Sequence, residues 1–105
     1  MPNIRLTPQE KEKKKSLLIT TYLNMAEKSN FNKVSRNKII KELNVTRWYL
    51  DTYGGGIKQI EKDALNHAIE HKMHKIILQI LANNHPFSKK ITSQLKKEAA
   101  AVLLF

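Results

Sequence analysis

Cysteine is absent from this 105-residue chain. Its absence excludes disulfide scaffolds, thiolate zinc sites and cysteine nucleophiles. Long apolar runs are missing too, since the apolar stretch from Ala99 to Phe105 is far too short to span a bilayer. The first residues are polar and charged, without the apolar core of a signal peptide. These absences predict a cytoplasmic protein that is not held in a membrane.

Acidic residues are also scarce. Nine Asp and Glu residues stand against nineteen Lys and Arg residues, which gives a formal net charge of +10. An excess of this size in a small protein predicts an anionic partner. Nucleic acid is the first interpretation, an anionic membrane surface the second, and a merely basic soluble protein the third. The length predicts a single domain, 1–105, with a modest core.

Helical periodicity runs through most of the chain, and no segment alternates polar and apolar residues for long enough to predict a strand. Thr7 and Glu10 form a helix start signal, and this first helix is expected to reach about Ser29. Another helix is expected over 57–83, and Ser88 is expected to cap the last one. The predicted fold class is therefore all-α, with about five helices.

The centre of the chain carries two short helices, each with its own N-cap residue. Ser35 begins the first, which ends at Leu43, and Thr46 begins the second, which ends at Tyr53 before three glycines. Asn44 lies at the turn and tolerates left-handed backbone. Two capped helices around a tight turn predict a helix-turn-helix within about 34–56. The side chains expected between its helices are Ile39, Leu43, Val45, Leu50 and Tyr53.

This stretch, VSRNKIIKELNVTRWYLDTY over residues 34–53, resembles the helix-turn-helix of bacterial and phage regulators. The resemblance is closest to the TetR-like (homeodomain-like) DNA-binding domain, and it covers about Leu17 to Ala68. It implies a long first helix, the helix-turn-helix, and a fourth helix after a short loop. It also implies binding to double-stranded DNA. The chain is too short to hold the large ligand-binding domain of that family.

The second helix of the unit is the candidate reader of base edges. Arg47 is expected to contact guanine, whereas Trp48 and Tyr49 have two open interpretations, contact with DNA or packing against the core. Asp51 would repel phosphate, so pairing with Arg47 four residues earlier is its simplest explanation. The candidate DNA-binding residues on this helix and its cap are Thr46, Arg47, Trp48, Tyr49 and Thr52.

Basic and polar side chains surround the unit and are expected to contact phosphates. The start of a helix favours an anion, because its free N–H groups and dipole point there. Cations before and after the unit are expected to hold the two strands of the backbone. These candidates are Lys33, Ser35, Arg36, Asn37, Lys38 and Lys58, with Lys41 on the outer face of the first helix.

The sequence presents no catalytic set, because no nucleophile or carboxylate pair is placed for one, and we expect no enzyme activity. His67, His71 and His74 share one helical face, so we considered a metal site. That face lies opposite the apolar stripe and no Cys is available, so no metal and no cofactor are expected. Gly54 to Gly56 lack the Lys-Ser/Thr pattern of a phosphate-binding loop.

We therefore expect a small transcriptional regulator of a phage, plasmid or bacterium that binds double-stranded DNA in a sequence-specific manner. One alternative is a DNA-binding accessory factor in plasmid replication, partition or conjugative transfer. Another is an RNA-binding or protein-interaction module, since RNA readers expose aromatic rings for stacking. The C-terminal helices, 57–105, end in an apolar tail that we expect to be buried in a homodimer.

Overall fold

The computed structural model describes residues 7–104, with side chains as far as Val102, and this part consists of helices and their connections without any strand. The all-α class is confirmed, and residues 7–104 contain six α-helices, close to the expected five. Within residues 7–104 no helix combines the length and apolar character needed to cross a membrane. The α-helices are α1 (Pro8–Lys28), α2 (Arg36–Leu43), α3 (Arg47–Gly54), α4 (Ile57–Glu70), α5 (His74–Ala82) and α6 (Ser93–Leu104), and short 3-10 helices span Phe31–Lys33 and Pro86–Lys90.

The predicted caps around the helix-turn-helix are confirmed. The hydroxyls of Thr7, Ser35 and Thr46 each accept a hydrogen bond from the backbone N–H three residues later, at 3.1, 3.2 and 3.1 Å. Asn44 ends α2 with φ of 53°, the left-handed conformation expected at the turn. Short polar side chains thus set both ends of the turn, which fixes where α3 begins.

The single helix predicted over 57–83 is wrong, because the chain breaks between α4 and α5. Lys72 adopts φ of 54°, and the Met73 N–H donates to the Ala68 carbonyl at 2.8 Å. This is a helix-ending turn of the kind that normally uses glycine. Neither Gly nor Pro marks it in the sequence, and the apolar periodicity continues across it, so the pattern concealed the break.

The prediction that Ser88 caps the last helix is also wrong. Ser88 lies inside the 3-10 helix Pro86–Lys90, and α6 begins only at Ser93. Thr92 is the cap, because its hydroxyl accepts from the Leu95 N–H at 3.1 Å. Ile91, only 5% exposed, anchors the connection to the core just before that cap.

The core is built on α1 and extends over the later helices. Ile39 and Leu50 are fully buried, as predicted, and Leu43 and Tyr53 pack against the core while half-buried. Val45 is half-buried. The largest fully buried side chains are Leu18 and Tyr22 of α1, Ile39 of α2, Leu50 of α3, Ile60 and Leu65 of α4, and Ile76, Ile77 and Ile80 of α5.

Gly54 lets the end of α3 approach its neighbours closely. A Cβ atom there would lie 2.6 Å from the Ile60 Cδ1 and 3.1 Å from the Leu18 Cδ1, so a larger residue does not fit without movement. Gly55 then ends the helix with φ of 78°, in the left-handed region that glycine adopts readily. These two positions hold α3 against α1 and α4.

A buried glutamine ties α5 to the connection in front of the helix-turn-helix. Gln79 accepts from the Phe31 N–H at 2.9 Å and donates to the Ala26 carbonyl at 2.8 Å. The Tyr22 hydroxyl donates to the Phe31 carbonyl at 3.1 Å. Burial raises the pKa of Tyr22 well above its usual range, and the Glu61 carboxylate adds to this effect. The position of Phe31, and so the start of α2, depends on these bonds.

Candidate nucleic-acid interface

Helix α3 presents its polar residues to solvent and buries only one large side chain. Leu50 is completely buried, whereas Arg47, Asp51 and Thr52 are exposed. Trp48 is 65% exposed, so the interpretation that it folds back into the core is excluded. The outer side of α3 therefore carries a cation, an indole ring and a hydroxyl group. None of these side chains is needed to pack the helix against the core.

Arg47 and Asp51 form the expected pair on this outer side. The Arg47 Nε lies 3.6 Å from the Asp51 Oδ2, and both side chains are largely exposed. An exposed pair of this kind adds little to stability. Its effect is on geometry, because the Asp51 carboxylate restrains the orientation of the Arg47 guanidinium. The positive charge of the guanidinium in turn offsets part of the repulsion between this carboxylate and an anionic partner.

An aromatic cluster supports the same helix from the side of α1. The Trp48 and Tyr53 rings meet edge to face with centroids 5.8 Å apart, and Tyr49 and Tyr53 do so at 4.8 Å. The Lys14 Nζ lies 5.2 Å from the Tyr49 ring centroid and 5.4 Å from that of Tyr53. Tyr49 therefore packs between α3 and the first helix. The sequence did not predict this contact of Lys14, because it depends on tertiary packing.

A basic groove lies between the end of α1 and α2. Its volume is about 540 Å³, and Met25 and Val34 supply apolar lining. Four lysines line it against one acidic residue, Glu42. The Lys38 Nζ donates to the Lys33 carbonyl at 2.9 Å, which holds one ammonium group at the beginning of α2. The four lysines are Lys28, Lys33, Lys38 and Lys41, of which sequence reasoning missed Lys28.

The start of α2 forms a second, smaller concave surface beside this groove. Ser35, Arg36 and Asn37 line it together with Val34 and Ile57, in a volume of about 370 Å³. Val34 and Ile57 also line a third recess, which includes Lys58. The structure thus gathers the predicted phosphate-binding residues around Val34 on several sides.

The start of α4, near Lys58, has no side-chain cap. Gly56 precedes the helix and supplies no side-chain cap, so the first N–H groups of α4 receive no hydrogen bond acceptor from it. Free N–H groups at a helix start, aided by the helix dipole, favour an anion such as phosphate. This local chemistry agrees with the place predicted for Lys58.

The three grooves are lined by residues outside α3, so the predicted site divides into two parts. Arg47, Trp48 and Thr52 protrude from one helix, while the lysines and the start of α2 form concave surfaces. Exposed side chains on one helix, flanked by cations, suit contact with an anionic partner.

The three histidines predicted to share one helical face lie on both sides of the break between α4 and α5. His67 lies on α4 and His71 is the residue that ends this helix, with their ring centroids 4.1 Å apart, but His74 belongs to α5, beyond the break. Among residues 7–104, no three His, Cys, Asp or Glu side chains are grouped closely enough to hold a metal ion.

Comparison with known proteins found no match to this chain, whether among family models, curated proteins or solved structures.

Proposed function

We propose that this protein binds double-stranded DNA in a sequence-specific manner through a TetR-like helix-turn-helix formed by α2 and α3. The observation that carries the proposal is the first turn of α3, where Arg47 and Trp48 protrude beside a surface rich in lysine. The best-supported role is a small cytoplasmic transcriptional regulator of a phage, plasmid or bacterium. An accessory factor in plasmid replication, partition or conjugative transfer would use the same surface.

In this proposal α3 enters the major groove, whose width of roughly 12 Å admits an α-helix. Arg47 donates to the O6 and N7 acceptors of a guanine, and Asp51 holds it in that orientation. Thr46 and Thr52 lie at either end of the helix and contact the backbone or base edges. Tyr49 packs on the first helix and presents its hydroxyl towards a phosphate.

Phosphate contacts come from the residues gathered around Val34. The start of α2, with Ser35, Arg36 and Asn37, receives one phosphate at its free N–H groups. Lys33 and Lys38 contact the backbone on one side of the unit, and Lys58 on the other. These contacts supply affinity without sequence preference, whereas α3 supplies the preference.

We also propose a homodimer, because a single helix-turn-helix gains affinity when two half-sites share one binding event. Leu95 and Ala99 of α6 are buried in the core, but Val102 on the same helix is 53% exposed. Ala100 and Ala101 beside it are exposed as well. The tail therefore offers apolar surface for a second copy. The rest of it, from residue 103, lies beyond the described side chains.

Sedimentation tests the dimer. Val102→Lys places a charge in the proposed contact and should shift the protein towards monomer at micromolar concentration. Gln94→Lys adds the same charge at an exposed position nearer the start of the same helix and should leave the mass unchanged. Monomeric wild-type protein would contradict the dimer.

Selection from random duplex DNA tests the function itself. The purified protein should enrich a defined motif, and a palindromic motif would also support two-fold symmetry. Failure to enrich any motif would contradict sequence-specific binding. Exposure of Trp48 also suits stacking on unpaired bases, so the enriched duplex should be challenged with single-stranded RNA. Displacement by the RNA at lower concentration than by duplex competitor would favour an RNA reader.

A further inference from the structure

The only tryptophan of the chain stands in the first turn of α3 with most of its surface in water. Trp48 is 65% exposed, the largest exposed fraction among the exposed large apolar residues of the described chain. Tryptophan is one of the largest sources of apolar contact area in proteins, and its exposure leaves that area unused. An indole exposed beside a basic surface is a candidate contact for a partner.

The fold does not require this ring. Leu50 and Gly54 make the close contacts of α3 with the core, and Leu50 is fully buried. Trp48 meets Tyr53 edge to face, with an angle of 83° between the ring planes. That contact restrains the orientation of the indole but leaves most of it uncovered. Because the orientation of the indole is already restrained, binding of a partner to this ring costs little conformational entropy.

The surroundings of Trp48 identify the chemistry of its partner. Arg47 precedes it on the same exposed turn, and Lys14 lies against the aromatic rings of Tyr49 and Tyr53 beneath it. A matching partner offers anionic groups with one small apolar group among them. The major groove of DNA has this combination, because the 5-methyl group of thymine is the apolar group on its base edges.

We propose, on the basis of the proposed function, that Trp48 packs on the 5-methyl group of a thymine and selects that base beside the guanine read by Arg47. The two residues are consecutive at the start of α3, and residues at the start of a recognition helix contact base edges. Trp48 is thus a specificity-determining residue that reads an apolar group, while Arg47 reads hydrogen-bond acceptors.

Replacement of thymine by deoxyuridine tests the proposal, because it removes only the methyl group. In the selected duplex, thymines are replaced one position at a time and affinity is measured by fluorescence anisotropy of a labelled strand. One position per half-site should lose about fourfold in affinity, which corresponds to about 0.8 kcal/mol for a buried methyl-sized group. Trp48→Ala should abolish the difference between thymine and uracil there and keep the preference for guanine.

Leu17→Ala is the matched control, because it shortens another exposed apolar side chain outside α3 and outside the proposed dimer contact. It should keep the full loss on replacement of thymine. Equal affinity of wild-type protein for every substituted duplex would overturn the proposal, as would unchanged discrimination in Trp48→Ala. Those results presuppose duplex binding, so they differ from failure of the proposed function, in which no duplex binds and no motif is selected.

Discussion

Helices α3 and α5 are of similar length, yet they use their side chains in opposite ways. In α5, Ile76, Ile77 and Ile80 are completely buried, and even the polar Gln79 is inside. In α3, Leu50 is the only large side chain that is fully buried, and Trp48 is left in water. Burial of an aliphatic side chain contributes about 1.5–3 kcal/mol, so α5 contributes far more to stability.

The difference indicates that α5 mainly stabilises the fold, whereas α3 mainly presents side chains to solvent. α5 holds the C-terminal helices to α1 and, through Gln79, fixes Phe31 in front of the helix-turn-helix. α3 is held by a few close contacts, and the rest of its surface remains free for a partner. Exposed polar and aromatic residues on a rigidly supported helix are the usual arrangement of a binding site.

The largest expected effect sharpens this comparison within α3 itself. Leu50→Ala should lower the free energy of unfolding by about 2–5 kcal/mol, because it leaves a cavity between α3 and the core. Trp48→Ala removes a larger side chain from the same helix but should change stability by less than about 0.5 kcal/mol. Thermal or urea unfolding of both variants checks the pair. If Leu50→Ala and Trp48→Ala lower the free energy of unfolding equally, α3 does not have one buried side and one solvent-exposed side.

The next effect concerns the link between α5 and the helix-turn-helix. Gln79→Ala leaves the Phe31 N–H and the Ala26 carbonyl without their partner and should cost about 1–3 kcal/mol, since water replaces only part of the lost bonding. Gln94→Ala is the matched control, because the hydrogen bond of this glutamine to Glu98 is exposed and its loss should leave stability almost unchanged. If both variants unfold at the same urea concentration, the buried link does not hold the two parts together.

An effect of similar size, on binding rather than stability, separates base reading from phosphate contact. Arg47→Ala should weaken binding to the selected duplex by about 1–3 kcal/mol and relax the preference at one or two base pairs. Lys41→Ala should weaken selected and scrambled duplexes alike, because a phosphate contact carries no sequence information. Anisotropy titrations with both duplexes measure these changes. An unaltered motif after selection with Arg47→Ala would mean that α3 is not the reader.

The smallest effect concerns Tyr22. Its folded-state pKa is raised, so the unfolded chain loses the phenolic proton first, near pH 10. The stability that depends on the neutral hydroxyl is complete below about pH 10 and falls as the pH rises further. Tyr22→Phe should cost about 0.5–1.5 kcal/mol at neutral pH through the lost bond to Phe31. It should also reduce the loss of stability in alkali, as measured by urea unfolding at pH 8 and 11.

Short-range signals predicted much of this structure. The caps at Ser35 and Thr46 and the left-handed Asn44 follow from local hydrogen bonding, so the bounds of α2 and α3 were predictable. The break at Lys72 was not, because tertiary packing places an ordinary residue in the left-handed region. The start of α6 was misplaced because Ser88 and Thr92 carry the same capping signal.

The candidate site was predictable only in part. The charge pair of Arg47 and Asp51 follows from helical spacing and was expected. The exposure of Trp48 was undecided, because the sequence does not show which side of α3 faces α1. Lys28 was missed as part of the site, and the contact of Lys14 with the tyrosine rings was not predicted, since both lysines come from the first helix and meet the site only in the folded protein.

The salt dependence of binding to duplex DNA tests the central claim most directly. Lysine and arginine displace condensed cations from phosphates, so affinity falls as salt concentration rises. With about six phosphate contacts, a plot of log K against log salt should have a slope near −5. A slope near zero, or no measurable binding at low salt, would contradict the proposal that this surface binds nucleic acid.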